Sequence, residues 1–502
     1  TILYNCVENI ILERCFAMSE NRVRTRYAPS PTGFMHIGNL RTALYEYLIA
    51  KSNNGDFVLR IEDTDQERFV SGAIDAIYNS LSLVGIDYDE GPDIGGNYGP
   101  YVQSERLEIY LKYAQQLVKE GKAYYCFCDK KRLESLHKES SELFLGYDRH
   151  CRNLPEEEIN RLLSEGIPYV IRQKVPLEGS TTFKDSVFGE ITVSNSEIED
   201  QILIKTDGYP TYNFANVIDD HLMNITYVVR GSEYLSSTPK YNLLYESFGW
   251  EIPTYIHLPL IMGKNDDGTI SKLSKRHGAT SFEGLINEGY LAEAILNYIV
   301  LLGWCPESNQ EIFSLNELIN VFDIKGISKS PSIFDYDKLR WFNAEYIRNM
   351  PLEDFTNICI PYFKKSTSKE FNWSKVASML QQRVTQLTQI PEMIKFLDVL
   401  PDYSKDLFIN KKSKTNIENS KIVLKNIISE LENIKIWNYD NLHDLLINLA
   451  TKLEIKNGTV MWPTRIAISG MQVTPGGAIE ILEILGKDES IKRLKIGLEK
   501  LS

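Results

Sequence analysis

Two short runs hold residue types suited to polyphosphate chemistry. In Arg26-Tyr27-Ala28-Pro29-Ser30-Pro31-Thr32-Gly33-Phe34-Met35-His36-Ile37-Gly38-Asn39, the prolines fix a turn, and Gly33 and Gly38 let a ligand approach the backbone closely. His36 can donate to a phosphate oxygen as negative charge develops in an in-line displacement. A helix starting there would aim its first N–H groups and its dipole at phosphate. The second run is Ser271-Lys272-Leu273-Ser274-Lys275-Arg276-His277-Gly278, preceded by Gly263-Lys264-Asn265-Asp266-Asp267-Gly268. Its clustered cations could neutralise a polyphosphate once the loop closes over it. Alone, the first run also reads as a structural strand-to-helix turn with a surface histidine, and the second as a solvated basic loop. Together they predict a phosphate-handling centre with His36, Lys272 and Lys275 stabilising charge and Gly33, His36, Gly38, Ser274 and Lys275 contacting nucleotide.

A third cluster has metal-ligand character. Cys126-Phe127-Cys128 and Tyr147-Asp148-Arg149-His150-Cys151 supply three thiols that could bind zinc tetrahedrally, with Tyr147 or His150 as a fourth ligand. Reduced structural thiols are the alternative. The seven cysteines are too sparse and odd in number for a secreted disulfide framework, which predicts a reducing, cytoplasmic setting.

These groups need elements to hold them. Arg24 to Ala28 reads as a short strand, Leu40 to Ala50 as a helix, and Phe57-Val58-Leu59-Arg60-Ile61 as a second strand, a βαβ unit of a parallel sheet. Further helices are expected over Arg68 to Leu83 and Ser104 to Glu120. Between 122 and 214 short β-rich runs and turn residues indicate an insertion, and sheet character resumes at Ile225-Thr226-Tyr227-Val228-Val229-Arg230. Beyond 284 the pattern is almost wholly helical, as in Leu291 to Leu302, Lys375 to Leu387 and Lys421 to Leu431, with Asn410 to Ser420 as a linker candidate.

Bulk properties set outer limits. At 502 residues, with 43% hydrophobic and 25% charged, the chain suits about three or four globular domains. No apolar run is long enough for a spanning helix, so no membrane association is expected. Glu8, Glu13 and Arg14 interrupt the apolar start, so residues 1–21 are expected to be an N-terminal extension, not a secretion signal, with Met18 as an alternative start. Net charge is −13, yet residues 401–502 carry 15 Lys/Arg against 13 Asp/Glu, so any RNA-binding surface must be a local basic face.

Several longer runs carry a family resemblance. Thr25 to Ala50, Phe57 to Arg68, Gly85 to Pro92, Asp207 to Asn216, Leu301-Leu302-Gly303-Trp304 and Arg465 to Gly470 resemble the bacterial glutamyl-tRNA synthetases, and the likeness spans nearly the whole chain from 22 onward. The paired phosphate-handling runs, separated by an insertion, are a signature of the wider class I aminoacyl-tRNA synthetases. The resemblance implies an α/β Rossmann-like catalytic domain with an inserted α+β acceptor-binding subdomain and an all-α C-terminal anticodon-binding region. The expected bounds are 22–121 and 215–283 for the Rossmann halves, 122–214 for the insertion, 284–347 for a helical stem-contact domain and 348–502 for the anticodon-binding part.

The implied reaction uses ATP with Mg²⁺ to form glutamyl-adenylate and then transfers glutamate to the 3′-terminal adenosine of tRNA(Glu), activation typically needing bound tRNA. Arg26, Ser30, Glu62, Tyr212, Asn216 and Arg230 are the implied L-glutamate contacts, with the arginines on carboxylates and Glu62 on the amino group. A monomer is expected.

Two positions depart from common patterns. Asn39 stands where many class I enzymes have a second histidine, and Asn153 where zinc-bearing members place one. A shortened relative instead pairs Tyr-x-x-x-Cys with C-x-C, the spacing of Tyr147 and Cys151, which makes Cys126, Cys128, Tyr147 and Cys151 the candidate metal ligands. Arg383 lies in an expected helix where discriminating members carry an arginine; a solvated helix face is the alternative. The rivals fit less well: a glutaminyl-tRNA synthetase would end in β-barrels, a small nucleotidylyltransferase would lack the insertion, and a non-catalytic scaffold would lose a residue such as His36 or Glu62.

Overall fold

The computed structural model describes residues 22–139, 147–265, 267–274 and 277–502. The expected extension, 1–21, and the expected phosphate ligand Lys275 lie outside the described residues. The chain forms two compact units, one reaching to Gly284 and taking in Ile295–Asp335, the other made of Leu285–Ala294 and Tyr336–Ser502. The stretch 284–347 is thus divided between them.

In the first unit, β1 (Arg24–Tyr27), α1 (Ile37–Ser52) and β2 (Asp56–Leu59) form the βαβ unit, with β1 and β2 parallel and Arg26 opposite Val58. Leu40, Leu44 and Leu48 are fully buried, and so are Ala43, Tyr45 and Ala50 on other faces, so α1 is a central helix and not a surface one. Its buried Arg41 donates to the carbonyls of Leu302, at 2.6 Å, and Pro259. Gly303, next to that carbonyl, has φ +110°, and a Cβ there would stand 3.0 Å from Pro259 and 3.3 Å from the Arg41 guanidinium. Only glycine serves at such a corner.

After α2 (Leu107–Lys119), the insertion builds an antiparallel sheet from β3 (Ala123–Cys126), β4 (Val170–Gln173) and β7 (Ile202–Ile204), together with a hairpin of β5 (Ser180–Asp185) and β6 (Gly189–Ser194). Next come α3 (Tyr212–Leu222), β8 (Tyr227–Gly231), α4 (Thr238–Phe248) and β9 (Thr254–Leu258). The strands β8 and β9 are parallel, and β5 joins β9 at Asp185 and Tyr255, so the insertion contributes to the main sheet. Tyr110 and Leu117 of α2, Ile171 of β4, Leu203 of β7, Phe214 and Ile218 of α3 and Leu244 of α4 share one core. Each such side chain contributes about 1.5–3 kcal/mol by burial, which ties the insertion to the helices that flank it. The two sheet halves meet where the Thr226 N–H donates to the Arg24 carbonyl at 2.9 Å.

The lysine run begins in regular structure. The hairpin of β10 (Ile261–Lys264) and β11 (Ile270–Lys272) pairs Met262 with Lys272, and β12 (Ser332–Ile333) lies parallel to β10. Lys272 therefore ends a strand, where a free loop was expected.

The second unit is helical from Tyr336–Asn349 to Lys487–Lys500, around a core that includes Phe355, Phe363, Leu380, Ile427, Leu446 and Leu482. The expected linker is not one. Asn410 and Thr415 bridge across a turn, the Thr459 hydroxyl donates to the Ser413 carbonyl at 2.7 Å, and Asn416 caps α6 (Ile417–Asn433) reciprocally with Asn419. The Lys/Asn/Ser composition reflects capping and turn chemistry, not flexibility. Similarly, α5 (Trp373–Gln381) stops before Leu387, and Arg383 follows its C-cap in a turn. No helix among the described residues is long and apolar enough to cross a membrane.

Candidate active site

A cavity of about 410 Å³ opens between the Arg26–Asn39 turn, the start of α1, the end of β8 and the hairpin of β10 and β11. Arg26, Ser30, His36, Gly38, Tyr212, Arg230 and Lys272 line it. Gly33, Glu62, Asn216 and Ser274 do not. Gly33 shapes the turn from outside the wall, where its φ of +130° suits glycine.

His36 is the N-cap of α1. Its Nδ1 accepts from the Gly38 N–H at 3.0 Å, which assigns the proton of the neutral ring to Nε2 and leaves that nitrogen as a donor. Burial, and then Lys272, lower its pKa below the ordinary histidine value. The expected cradle of free amides at this helix start is absent: the Ile37 N–H donates to the Thr280 carbonyl, and those of Asn39 and Leu40 to the His36 carbonyl. An anion at this helix start would therefore meet side chains and not these three amides.

At the inner end, Arg26 is held by Glu46 at 3.0 Å and Asp220 at 2.9 Å. Burial works against its charge, but Asp220 and Glu46 outweigh burial and raise its pKa. Arg60 bonds Glu62 at 3.0 Å and Asp220 at 2.8 Å, and Asp219 accepts from Arg106, Gln103 and Tyr110. Burial raises the Asp220 pKa, but Arg26 and Arg60 prevail and hold it below the ordinary aspartate value.

Arg230 differs from these paired arginines. It is 6% exposed and lies 4.6 Å from the Tyr241 ring and 5.7 Å from those of Tyr234 and Tyr255, with Nε and Nη1 buried and unpartnered. The side-chain nitrogen and oxygen of Asn216, Oε2 of Glu62 and Oε2 of Glu46 are likewise buried without hydrogen bonds. Unsatisfied buried polar atoms are costly, so a cluster of them marks a site completed by a polar ligand. A guanidinium with two free nitrogens suits a carboxylate.

Lys272, 65% exposed, stands 3.3 Å from Glu233. Such a pair is worth at most about 1 kcal/mol, so phosphate can displace it. His277 organises the segment beyond β11: Nδ1 accepts from the Ser274 N–H at 3.0 Å, and Nε2 meets the Asn265 Oδ1 at 2.8 Å.

In the insertion, Cys126, Cys128 and Cys151 offer sulfurs all within 4.8 Å of one another. The Tyr147 hydroxyl lies 3.2 Å from Cys126 and 3.6 Å from Cys128, and Cys128 is 3.6 Å from Cys151. A tetrahedral zinc would impose edges of about 3.8 Å between sulfurs and about 3.5 Å between sulfur and oxygen, so the four groups fit the ion. Of the two candidate fourth ligands, Tyr147 stands in the cluster, whereas His150 is exposed and outside it. Hydrogen bonding from Cys151, ahead of that from Tyr147, lowers the Cys126 pKa against burial. Burial raises those of Cys128 and Tyr147, and hydrogen bonding to Cys126 raises that of Cys151, so the cluster concentrates negative charge on Cys126. The Arg172 guanidinium stacks 3.9 Å over the Tyr147 ring.

Sequence reading missed Glu46, Arg60, Arg106, Asp219 and Asp220. The available signal was acid inside apolar helices: Glu46 within Ala43 to Ala50, and the Asp219-Asp220 pair closing Phe214 to Ile218. In the second unit, Arg383 lines a separate cavity of about 640 Å³ with Lys375, Gln382, Tyr439, Glu480 and Glu483, where Glu483 already holds Lys375 at 2.6 Å.

Residues 22–341 match the family model described as tRNA synthetases class I (E and Q), catalytic domain, and residues 354–498 match an anticodon binding domain. Fold and cavity are thus those of a class I aminoacyl-tRNA synthetase. The chain is 58% identical over 486 residues to the glutamate-tRNA ligase of Clostridium tetani, covering 96% of this chain and 99% of that one. It is 56% identical to that of Clostridium kluyveri, covering 96% and 98%. A crystal structure of a glutamate tRNA ligase from Elizabethkingia meningosepticum in complex with its amino acid superposes with TM-score 0.87 at 34% identity, covering 96% of this chain and all of that one. The chain belongs to the glutamate-tRNA ligase family.

Proposed function

We propose that the protein activates L-glutamate with MgATP and esterifies it to the 3′-terminal adenosine of tRNA(Glu), acting as a cytoplasmic monomer. The observation that carries this reading is Arg230: a buried guanidinium on the cavity wall, caged by tyrosines, with two nitrogens awaiting an anion. A γ-carboxylate satisfies it, and a neutral amide does not.

An α-carboxylate oxygen of glutamate attacks the α-phosphorus of ATP, forming the adenylate as the bond to pyrophosphate breaks. The 2′-hydroxyl of the terminal adenosine then attacks the acyl carbon, and AMP leaves. No covalent protein nucleophile takes part, so the rate rests on positioning and charge stabilisation. Arg26, Ser30, Tyr212 and Arg230 hold the amino acid, with Glu62 and Asn216 behind the wall supplying their unpartnered atoms if side chains shift on binding. His36 donates through Nε2 to phosphate oxygens, Lys272 exchanges Glu233 for phosphate, and Lys275 and Ser274 complete the phosphate contacts, with the glycines at 33 and 38 shaping the turn. Residues 122–214 receive the acceptor end, 284–347 the stem and 348–502 the anticodon, where Arg383 and its cavity read bases.

The test is aminoacylation. Purified protein should charge tRNA(Glu) with labelled glutamate; no charging of any glutamate or glutamine tRNA would overturn the reading.

Cys126, Cys128, Tyr147 and Cys151 would hold zinc, which clamps the insertion and supplies no chemistry to the reaction. Protein purified without chelator should carry about one zinc per chain, and Cys151→Ser should remove it and lower Tm by several degrees. Less than about 0.2 zinc per chain would leave these residues as structural thiols.

A further inference from the structure

One histidine of the lysine run lies off the cavity wall and yet joins both ends of the hairpin strand that carries Lys272. His277 follows β11 by a turn, its N–H donating to the Ser274 carbonyl at 2.9 Å, and its ring folds back onto Gly263 of β10. A Cβ at 263 would stand 2.6 to 2.8 Å from three atoms of the imidazole, closer than a side chain tolerates, so the ring needs glycine there. Nδ1 accepts from the Ser274 N–H at 3.0 Å, which assigns the proton of the neutral ring to Nε2. Nε2–H donates to Asn265 Oδ1 at 2.8 Å and lies 3.3 Å from the Ser271 hydroxyl. Asn265 in turn closes the hairpin: its N–H donates to the Thr269 carbonyl at 2.8 Å, and its carbonyl accepts from the Gly268 N–H at 2.9 Å.

One imidazole thus ties the hairpin turn to the segment leaving β11. Between these anchors lie Lys272 and Leu273, both on the cavity wall. The Lys272 side chain is 65% exposed and pairs with Glu233 at 3.3 Å, a contact too weak to fix it, so its placement comes from the backbone. We propose that His277 is a positioning residue for adenylate formation, holding Lys272 against the β- and γ-phosphates of ATP through Ser274 and Asn265, with Gly263 as the gap that admits its ring. The inference rests on the glutamate-activating reading above. Misplacing a charge-stabilising group by about 1 Å costs about 10²-fold in rate.

The experiment measures glutamate-dependent ATP–pyrophosphate exchange with tRNA(Glu) present, alongside binding of glutamyl-sulfamoyl-adenosine, an adenylate mimic without β- and γ-phosphates. His277→Ala should lower kcat/KM for ATP by about 10- to 100-fold, while KM for glutamate and affinity for the mimic stay within about twofold. His277→Asn, whose amide oxygen can accept from the Ser274 N–H, should come within about fivefold of wild type. Gly263→Ala should match His277→Ala because its Cβ expels the ring, and the double variant should lose no more than about threefold beyond either single one. Three results each overturn the inference alone: near-normal kcat/KM for ATP in His277→Ala, mimic binding weakened as much as exchange, or losses that multiply in the double variant. A wild type that neither supports exchange nor binds the mimic would overturn the functional reading and the inference with it.

Discussion

Replacing Arg230 with alanine should lower kcat/KM for glutamate by about a thousandfold while leaving the KM for ATP within about twofold, because a buried carboxylate stripped of its guanidinium costs several kcal/mol. The size of the effect reflects the environment. Arg26 and Arg60 are each held by two carboxylates, so substrate gains less from them. Among the described residues Arg230 has no hydrogen-bonded acid, and it lies on the cavity wall with Nε and Nη1 unpartnered. Arg230→Lys should recover less than about tenfold of the loss, since an ammonium cannot present two fixed donors or stack on Tyr241 in the same way. Steady-state exchange kinetics with both variants measure this; near-normal kcat/KM in Arg230→Ala would place the carboxylate elsewhere.

The second large effect should come from His36. His36→Ala should lower kcat for adenylate formation by about 10²- to 10³-fold with KM for ATP changed only a few-fold, as for loss of one donor to developing charge. The Gly38 amide occupies Nδ1, so the donor is Nε2–H of a neutral ring. This sets the pH dependence. Burial and Lys272 shift the pKa downward, so the ring is neutral above the ordinary value of about 6.5, and activity owed to it should be level there. Protonation at lower pH displaces the Gly38 amide from Nδ1, so activity should fall only on the acid side. His36→Gln should flatten that acid limb. A rise in kcat centred above about pH 6.5, lost in His36→Gln, would contradict this assignment.

Part of this site was legible in the sequence, for identifiable reasons. The strand, turn and helix from Arg24 to Ser52 announce themselves locally, through Pro29, Pro31 and Gly33 and then Leu40, Leu44 and Leu48 at helical spacing. Arg26, Lys272 and Arg230 stand out as cations, and His36 as an imidazole, in or beside apolar or glycine-containing runs, and they meet on one cavity wall. The ion network was not legible, because Glu46, Arg60 and Asp220 acquire meaning only when α1, β2 and α3 converge from distant parts of the chain. Local polarity misled where it served structure. Asn416 and Asn419 cap a helix in the supposed linker, and Gln386 and Gln389 form a second reciprocal cap that separates Arg383 from the following helix. At the helix start, a local reading gave α1 free amides, whereas the Thr280 carbonyl and the His36 ring already occupy two of them.

The central claim is selective activation of glutamate, and ATP–pyrophosphate exchange tests it most directly. With tRNA(Glu) present, glutamate should support exchange, and glutamine and aspartate should do so at least about a hundredfold less well, because an amide leaves Arg230 unpaired and the shorter acid fails to reach it. Absence of glutamate-dependent exchange in the presence of tRNA, or equal exchange with glutamine, would contradict the account.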